Sequence, residues 1–192
     1  MNLIVDDSMI PGTILKKSAM GNTTGLDFLQ KIFYITDGIM MSQIRSISGI
    51  DTSTLQNWVK RNWVANAKLK KYDIDQVAHI LIINMLRSCM QLDHIDFLIH
   101  YINGEVDDTS DDIISDSVLY DYICRILSHM MDSEQVTLSN VRKLVETVIS
   151  DYEEPVAGAR DRLISALEVI VVTYTATLLK RHADDLFGEL QK

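Results

Sequence analysis

The chain has 192 residues, of which 47% are apolar, and 27 acidic against 18 basic residues give it a formal charge of -9. This apolar content excludes an intrinsically disordered chain, because it is enough to build a core. Only two prolines and eight glycines interrupt long apolar-periodic runs, and this pattern favours an all-α fold. Cys89 and Cys124 stand far apart without a CxxC spacing, which argues against a disulfide framework and predicts a cytoplasmic protein.

The N-terminal part of the chain is predicted to hold a flexible arm and two short helices. Residues 1–24 form the arm, because glycines interrupt them and they lack the long apolar run of a signal peptide. Apolar periodicity then predicts a helix near residues 26–35 and another over residues 40–47. Gly49 ends the second helix, because a residue without Cβ turns left-handed at little cost.

A third helix is predicted over about residues 52–62. Asp51 or Thr52 can cap it, since either side chain accepts hydrogen bonds from the free N–H groups of the first turn. Residues 63–72 lack helical periodicity, which predicts a loop or a short hairpin.

The next helix begins at Asp73, which with Gln76 approximates a capping box. This helix is apolar on most of its surface and is predicted to be buried. An amphipathic helix follows it, and the acidic stretch 103–112 then reads as a solvated connection. Three further helices are predicted at about residues 115–131, 137–151 and 156–186.

The charge is distributed unevenly along the chain. Residues 37–103 hold seven basic and six acidic residues, whereas the remainder holds eleven basic and twenty-one acidic ones. The acidic stretch 103–112 lies where the balance of basic and acidic residues changes. The sequence therefore predicts a head domain over residues 25–104 and a C-terminal helical domain over residues 113–192, used for dimerisation or effector binding.

One stretch of the head is free of acid. Between Asp51 and Asp73 there are five basic residues and two tryptophans but no carboxylate. A solvated face that offsets an acidic body is the simplest interpretation. A nucleic-acid surface is the interpretation favoured by the helices around the stretch.

The order helix, glycine turn, helix has the spacing of a helix-turn-helix. If Leu55, Trp58 and Val59 face inward, the opposite side of the second helix faces solvent. Its polar and basic side chains, together with those of the loop that follows, suit base edges and phosphates. The predicted DNA-binding residues are Ser53, Thr54, Gln56, Asn57, Lys60, Arg61, Lys68, Lys70, Lys71 and Tyr72.

The stretch "MMSQIRSISGIDTSTLQNWVKRNWV", followed by "KKYDIDQVAHILIINMLRSCMQLDHIDFLIHYIN", resembles the head of MerR-type regulators over residues 40–103. Lys70, Lys71 and Tyr72 match the basic pair and aromatic residue that end the MerR wing. The segments "QNWVKR", "KKY", "ILIINMLR" and "DIISDSVLYDY" are similar to a bacterial family of uncharacterised proteins with this head. The resemblance implies a winged helix-turn-helix and a role as a transcriptional regulator.

The sequence departs from the MerR pattern in three places. Arg45 stands near a position where alanine lets the two helices pack closely. Asn57 and Trp58 replace the aromatic pair of the recognition helix. The long C-terminal heptad helix by which MerR proteins pair is not evident.

The function predicted from these features is that of a sequence-specific DNA-binding transcriptional regulator. Its expected partners are double-stranded DNA, a second copy in a homodimer, and a small-molecule or protein effector on the C-terminal domain, with no membrane. A non-catalytic protein-interaction module that keeps the helix-turn-helix shape is the alternative. No catalytic group has a partner and no ligand spacing is present, so neither an enzyme nor a metal or cofactor site is expected.

Overall fold

The computed structural model describes residues 8–104, 110–132 and 140–191. Within these ranges the protein is mostly helical, which confirms the predicted all-α class, and its two short strands form one antiparallel pair. A 3₁₀ turn spans Lys17–Met20. The elements are α1 (Gly25–Phe33), β1 (Ile39–Met40), α2 (Met41–Ser48), α3 (Thr52–Lys60), β2 (Lys71–Tyr72), α4 (Ile74–Leu86), α5 (Leu92–Asn103), α6 (Asp116–Asp132), α7 (Val141–Val148) and α8 (Ala159–Leu190).

Local signals in the sequence set the boundaries of the helices in the head. Gly49 is left-handed at φ 72° and ends α2, as predicted. Asp51, rather than Thr52, caps α3 by accepting a hydrogen bond from the backbone N–H of Thr54. The predicted capping box of Asp73 and Gln76 is confirmed at the start of α4.

Helix α4 lies at the centre of the fold. Nine of its thirteen residues are buried, and it packs against α1, α2, α5, α6 and α8. A helix that is apolar on nearly every side is stable only when other elements surround it. Its position therefore confirms the burial that the sequence predicted.

The boundary predicted between residues 25–104 and 113–192 does not separate two cores. Helix α6 packs on both α1 and α4, and one cluster of buried side chains runs through both parts of the chain. Asn103 Nδ2 donates to the carbonyl of Ile114 at 2.7 Å, which ties the two sides of the connection together. The change in charge at residues 103–112 therefore reflects the composition of the surface and not a division of the interior.

The prediction of a flexible arm is wrong for residues 8–24, while residues 1–7 lie outside the described residues. Ile10 is fully buried. The carbonyl of Pro11 accepts a hydrogen bond from the Tyr120 hydroxyl at 2.7 Å, and that of Gly12 accepts one from Asn84 Nδ2 at 2.8 Å. These contacts with α6 and α4 fix the segment against the core.

Helix α8 is long and apolar enough, by length and composition, to cross a membrane. Half of its apolar window is buried inside the fold. Its buried side includes Leu163, Leu167 and Tyr174, so this part of the helix serves as a core element.

We expect Gly12→Ala to destabilise the protein more than Gly158→Ala does. Both glycines have positive φ, of 74° and 85°, so either alanine costs about 1–2 kcal/mol of left-handed strain. A Cβ on Gly12 also lies 2.4 Å from the carbonyl oxygen of Leu81, whereas one on Gly158 meets nothing within 4 Å. The clash should add about 1–3 kcal/mol. Urea denaturation of both variants measures the difference in the free energy of unfolding. Equal losses of stability would show that the packing of residues 8–24 against α4 does not stabilise the protein.

Candidate nucleic-acid interface

Helix α3 has one buried and one exposed face. Leu55 and Trp58 are 0% and 1% exposed and pack into the core. Gln56, Asn57 and Lys60 lie on the surface, where the helical spacing predicted them. No hydrogen bond or ion pair engages these three side chains in the part of the chain that the structure describes. Two amides and one ammonium group on this face therefore remain able to bind a ligand.

The first turn of α3 is occupied by its own cap. The carboxylate of Asp51 accepts hydrogen bonds from the Ser53 hydroxyl at 2.5 Å and the Thr54 hydroxyl at 2.7 Å, as well as from the Thr54 backbone N–H at 2.7 Å. The Ser53 hydroxyl foremost, then the Thr54 groups, hold the pKa of Asp51 well below its usual range. The carboxylate of Asp51 therefore places a negative charge at this end of the helix. Ser53 and Thr54 were predicted to contact DNA, but both of their hydroxyls already donate to Asp51.

The C-terminal end of α3 leads into a short turn that holds a cation–π contact. Asn62 is left-handed at φ 59° and reverses the chain. The guanidinium of exposed Arg61 then lies 5.0 Å from the ring centroid of half-buried Trp63. Arg61 therefore stays at the surface with its planar group held over an aromatic face, which limits its motion.

A two-residue hairpin follows, at the position predicted for a loop or hairpin. Lys68 and Lys71 exchange both backbone hydrogen bonds at 2.9 Å. The residues between them, Leu69 and Lys70, have φ of 51° and 65°, which makes this a type I′ turn. Lys68, Lys70 and Lys71 are all exposed. Asparagine and glycine are the residues that favour such a turn, so the chain holds a leucine and a lysine there against their backbone preference.

Tyr72 departs from the prediction that it contacts DNA. It pairs with Ile39 in the β1–β2 ladder and is only 2% exposed. Burial raises the pKa of its hydroxyl. The alternation of side chains along a strand explains the correction, because exposed Lys71 and buried Tyr72 must point to opposite faces.

A buried histidine joins this surface to the body of the protein. His79 on α4 contacts Asp116 Oδ2 through Nδ1 at 2.8 Å and the Trp63 carbonyl oxygen through Nε2 at 2.8 Å. Both partners are acceptors, so this arrangement favours the protonated imidazole, which donates from both ring nitrogens. Burial lowers the pKa of His79, but Asp116 and the Trp63 carbonyl raise it by more, and the pKa lies above its usual value. No functional role was predicted for His79 from the sequence. The feature that could have indicated one is its polar side chain within an otherwise apolar helix.

A cavity of about 860 Å³ lies beside this histidine. It is bounded by residues 64–68, the first turns of α4 and residues 112–116. Its apolar wall includes Val64, Ile99 and Ile113. Within the described ranges, no cluster of three or more histidine, cysteine or acidic residues is arranged to hold a metal ion. The carboxylates that line the cavity are those of Asp73, Asp75, Asp112, Asp116 and Glu153.

Residues 25–123 match the model of a protein family described as "Domain of unknown function (DUF1836)". The match covers just over half of the chain and runs from α1 into the first half of α6, and the protein belongs to this family. It is also 27% identical over 114 residues to the "Uncharacterized protein YkrK" of Bacillus subtilis (strain 168), a match of 56% of this chain and 49% of that protein. The chain thus spans about half the length of this relative. No solved structure matches the chain.

These comparisons confirm the predicted membership of a bacterial family of unknown function. The matched residues extend beyond the predicted head into the first half of α6, a helix that packs against α1 and α4. The family match is therefore not limited to residues 25–104.

We expect His79 to make stability depend on pH. A pKa raised by folding stabilises the protein fully below the unfolded value of about 6.5, and this contribution is lost as the pH rises through the folded value. His79→Gln should be less stable than wild type at low pH and should lose less stability as the pH rises. Urea midpoints across this range measure the effect. His94→Gln, at an exposed histidine, should behave like wild type. If the urea midpoint changed equally with pH in all three proteins, His79 would not be the source of the pH dependence.

We expect Leu69→Asn and Lys70→Gly each to stabilise the protein. Asparagine and glycine tolerate positive φ, so each change should recover up to about 1 kcal/mol of turn strain. Leu69→Ala is the matched control, because alanine removes the exposed side chain but keeps the strained Cβ. It should change the free energy of unfolding by less than about 0.5 kcal/mol. A Leu69→Asn protein no more stable than Leu69→Ala would show that the turn is unstrained.

Proposed function

We propose that the protein is a sequence-specific DNA-binding transcriptional regulator whose α3 enters the major groove. The observation that carries the proposal is the exposed face of α3, where Gln56, Asn57 and Lys60 have no partner within the described structure. Glutamine and asparagine pair bidentately with adenine, and lysine donates to guanine. An α-helix fits the width of the major groove. Between Asp51, which caps α3, and Asp73 the chain has no carboxylate that would repel phosphates.

The hairpin at Lys68–Lys71 supplies the backbone contact in this proposal. Strand β2 continues from the hairpin and pairs with β1, which directly precedes α2. This pairing ties the hairpin to the helix pair, so that lysines at its tip would grip phosphates while α3 reads bases. The arrangement resembles the wing of MerR-type regulators, and we propose the same division of tasks here.

The capped first turn of α3 limits which side chains read the bases. Ser53 and Thr54 donate their hydroxyl protons to Asp51, so they act as capping groups in this proposal. Asp51 places a negative charge at the end of the helix that many recognition helices point into the groove. Base contacts are therefore assigned to the middle of α3, from Gln56 to Lys60.

The remainder of the proposal concerns the body. A regulator of this kind works as a homodimer in the bacterial cytoplasm and responds to an effector bound by the body. The cavity next to His79 has the size of a small-molecule site, and its carboxylates suit a cationic effector. Its position beside the Trp63 carbonyl supports an effect of such a ligand on the hairpin.

One observation favours the alternative function, a protein-interaction module. Tyr34, Ile35 and Leu69 are 86%, 89% and 97% exposed. Residues 34–35 precede β1 and Leu69 stands at the hairpin tip. Large apolar side chains left exposed on the head are candidates for a protein contact.

Selection of bound sequences from a random duplex pool, followed by titration of the enriched duplex, tests the proposal. Lys60→Ala should relax the preference at one base pair and cost about 1–3 kcal/mol. Lys70→Ala should weaken binding to all duplexes equally and reduce the slope of log K against log salt by about 0.9. Lys143→Ala, an exposed lysine on α7, is the control and should leave both unchanged.

Two results would overturn the proposal. One is the absence of any enriched duplex; the other is an affinity that ignores both salt and the lysines of the head. Binding of a protein that is lost in Leu69→Asn but insensitive to salt would instead support the interaction module.

A further inference from the structure

The cavity beside His79 has the volume of a site for an organic molecule. Its volume of about 860 Å³ lies in the upper part of the range of about 300–1,000 Å³ that is typical of ligand pockets. A metal ion would leave most of this space empty, and the residues that the structure describes hold no cluster arranged to bind one. The cavity therefore fits a ligand with a body of its own rather than a bare ion.

The charge of the lining favours a cation. The five carboxylates named above share the lining with only two basic side chains. The N-termini of α4 and α6 also border the cavity, and a helix N-terminus by itself favours an anion. Here the chain's own carboxylates already pair with both ends: Asp73 accepts from the backbone N–H of Gln76 at 2.9 Å, and Asp75 accepts from that of Ser117 at 2.9 Å. The excess of negative charge on the lining is therefore what a ligand meets.

Two features of the lining define the ligand further. Asp116 Oδ1 is buried and has no hydrogen-bond partner in the described ranges, which is unusual for a buried oxygen in a native protein. An N–H donor on a ligand that binds against Asp116 would supply the missing bond. Val64, Ile99 and Ile113 form an apolar wall, which suits a hydrocarbon body. An amine or a guanidine attached to an apolar body satisfies both features.

We propose that the cavity binds an organic amine or guanidine in its cationic form, and that this binding expels the proton of His79. The imidazole itself lines the cavity, and its two acceptors, Asp116 and the Trp63 carbonyl, favour its protonated form. A cation bound against the carboxylates therefore lies beside a second positive charge, and like charges disfavour each other. The ligand and the proton compete for the same negative surroundings.

The charged groups around His79 determine the sign of this competition. Asp116 on α6 and Asp96 on α5 both favour the protonated imidazole, and Lys68 and Asp75 share the cavity lining with it. A bound cation lowers the pKa of His79, so by linkage it binds more tightly to the deprotonated protein. Affinity for the ligand should therefore increase as the pH rises through the pKa of His79, and should fall as the pH drops below it.

Only the role of this ligand as an effector rests on the proposed DNA-binding function. Ligand binding and proton release are properties of the cavity and are measured without DNA. A protein that binds no duplex but takes up the amine would overturn the proposed function and support this inference. A protein that binds DNA but takes up no amine would overturn this inference alone.

Calorimetric titration of the full chain with hexylamine, hexanol and hexanoate tests the proposal, because the three compounds share one body and differ in charge. We expect only hexylamine to bind. Its affinity should increase by up to about tenfold per pH unit between about pH 6 and about pH 9, where the carboxylates and the ammonium group both stay charged. Titrations in buffers with different enthalpies of ionisation should show that a proton is released.

Variants assign these effects to the cavity, and circular dichroism checks that each is folded. His79→Gln should bind hexylamine without releasing a proton and without a dependence on pH, because the competing charge is gone. Glu153→Gln, at an exposed carboxylate of the lining, should weaken binding about two- to fivefold. Asp93→Asn, at an exposed carboxylate outside the lining, is the matched control and should bind like wild type.

Four results would overturn the proposal. They are no binding of hexylamine at millimolar concentration, binding of hexanol or hexanoate as tight as that of hexylamine, binding of hexylamine without proton release, and equal effects of Glu153→Gln and Asp93→Asn. The last comparison keeps the test decisive even if His79→Gln does not fold.

Discussion

The need to cover α4 on nearly every side determines the architecture. A helix so apolar cannot stand at a surface, and here five helices from both halves of the chain surround it. Burial of this kind is worth about 25 cal/mol per Å² of apolar area, so separating the head from the C-terminal helices would expose the most apolar element of the fold. This constraint explains why the acidic connection after α5 does not divide the molecule into independent domains.

The few polar residues of α4 attach the head to the core. Asn84 Nδ2 donates to the Ser48 carbonyl at the end of α2, at 3.0 Å. The guanidinium of Arg87, which caps the C-terminal end of α4, lies 5.6 Å from the ring of Trp58 on α3. His79 holds the carbonyl of Trp63, just before the hairpin. Three successive parts of the head are therefore positioned by one helix, so the exposed face of α3 and the hairpin have a fixed relation to the body.

The sequence predicted those features whose causes are local. Gly49, Asp51 and Asp73 act on the turns next to them, and the helices they bound lie where periodicity placed them. The docking of residues 8–24 was missed because it depends on non-local contacts; Tyr120 lies 109 positions from Pro11. The capping bonds of Ser53 and Thr54 were missed for a different reason: spacing predicts exposure but does not show that a neighbouring carboxylate already engages both hydroxyls.

Helix α8 shows a further limit of periodicity. Positions on its buried side, such as Leu163, and on its exposed side, such as Val172, are both apolar, so the sequence reads as a uniformly apolar run. Only the structure, by identifying which positions the core uses, separates the two faces. The same ambiguity makes this helix resemble a membrane span by composition.

Helix α4 also links the cavity to the hairpin. Gln76 and His79 lie on α4 and on the cavity lining, and they bind the carbonyl oxygens of Asn66 and Trp63 in the segment that precedes the hairpin. A ligand in the cavity would therefore lie against these two polar links between α4 and that segment. Because Leu55 and Trp58 anchor α3 separately in the core, such a ligand would change how the hairpin is held without moving the exposed face of α3.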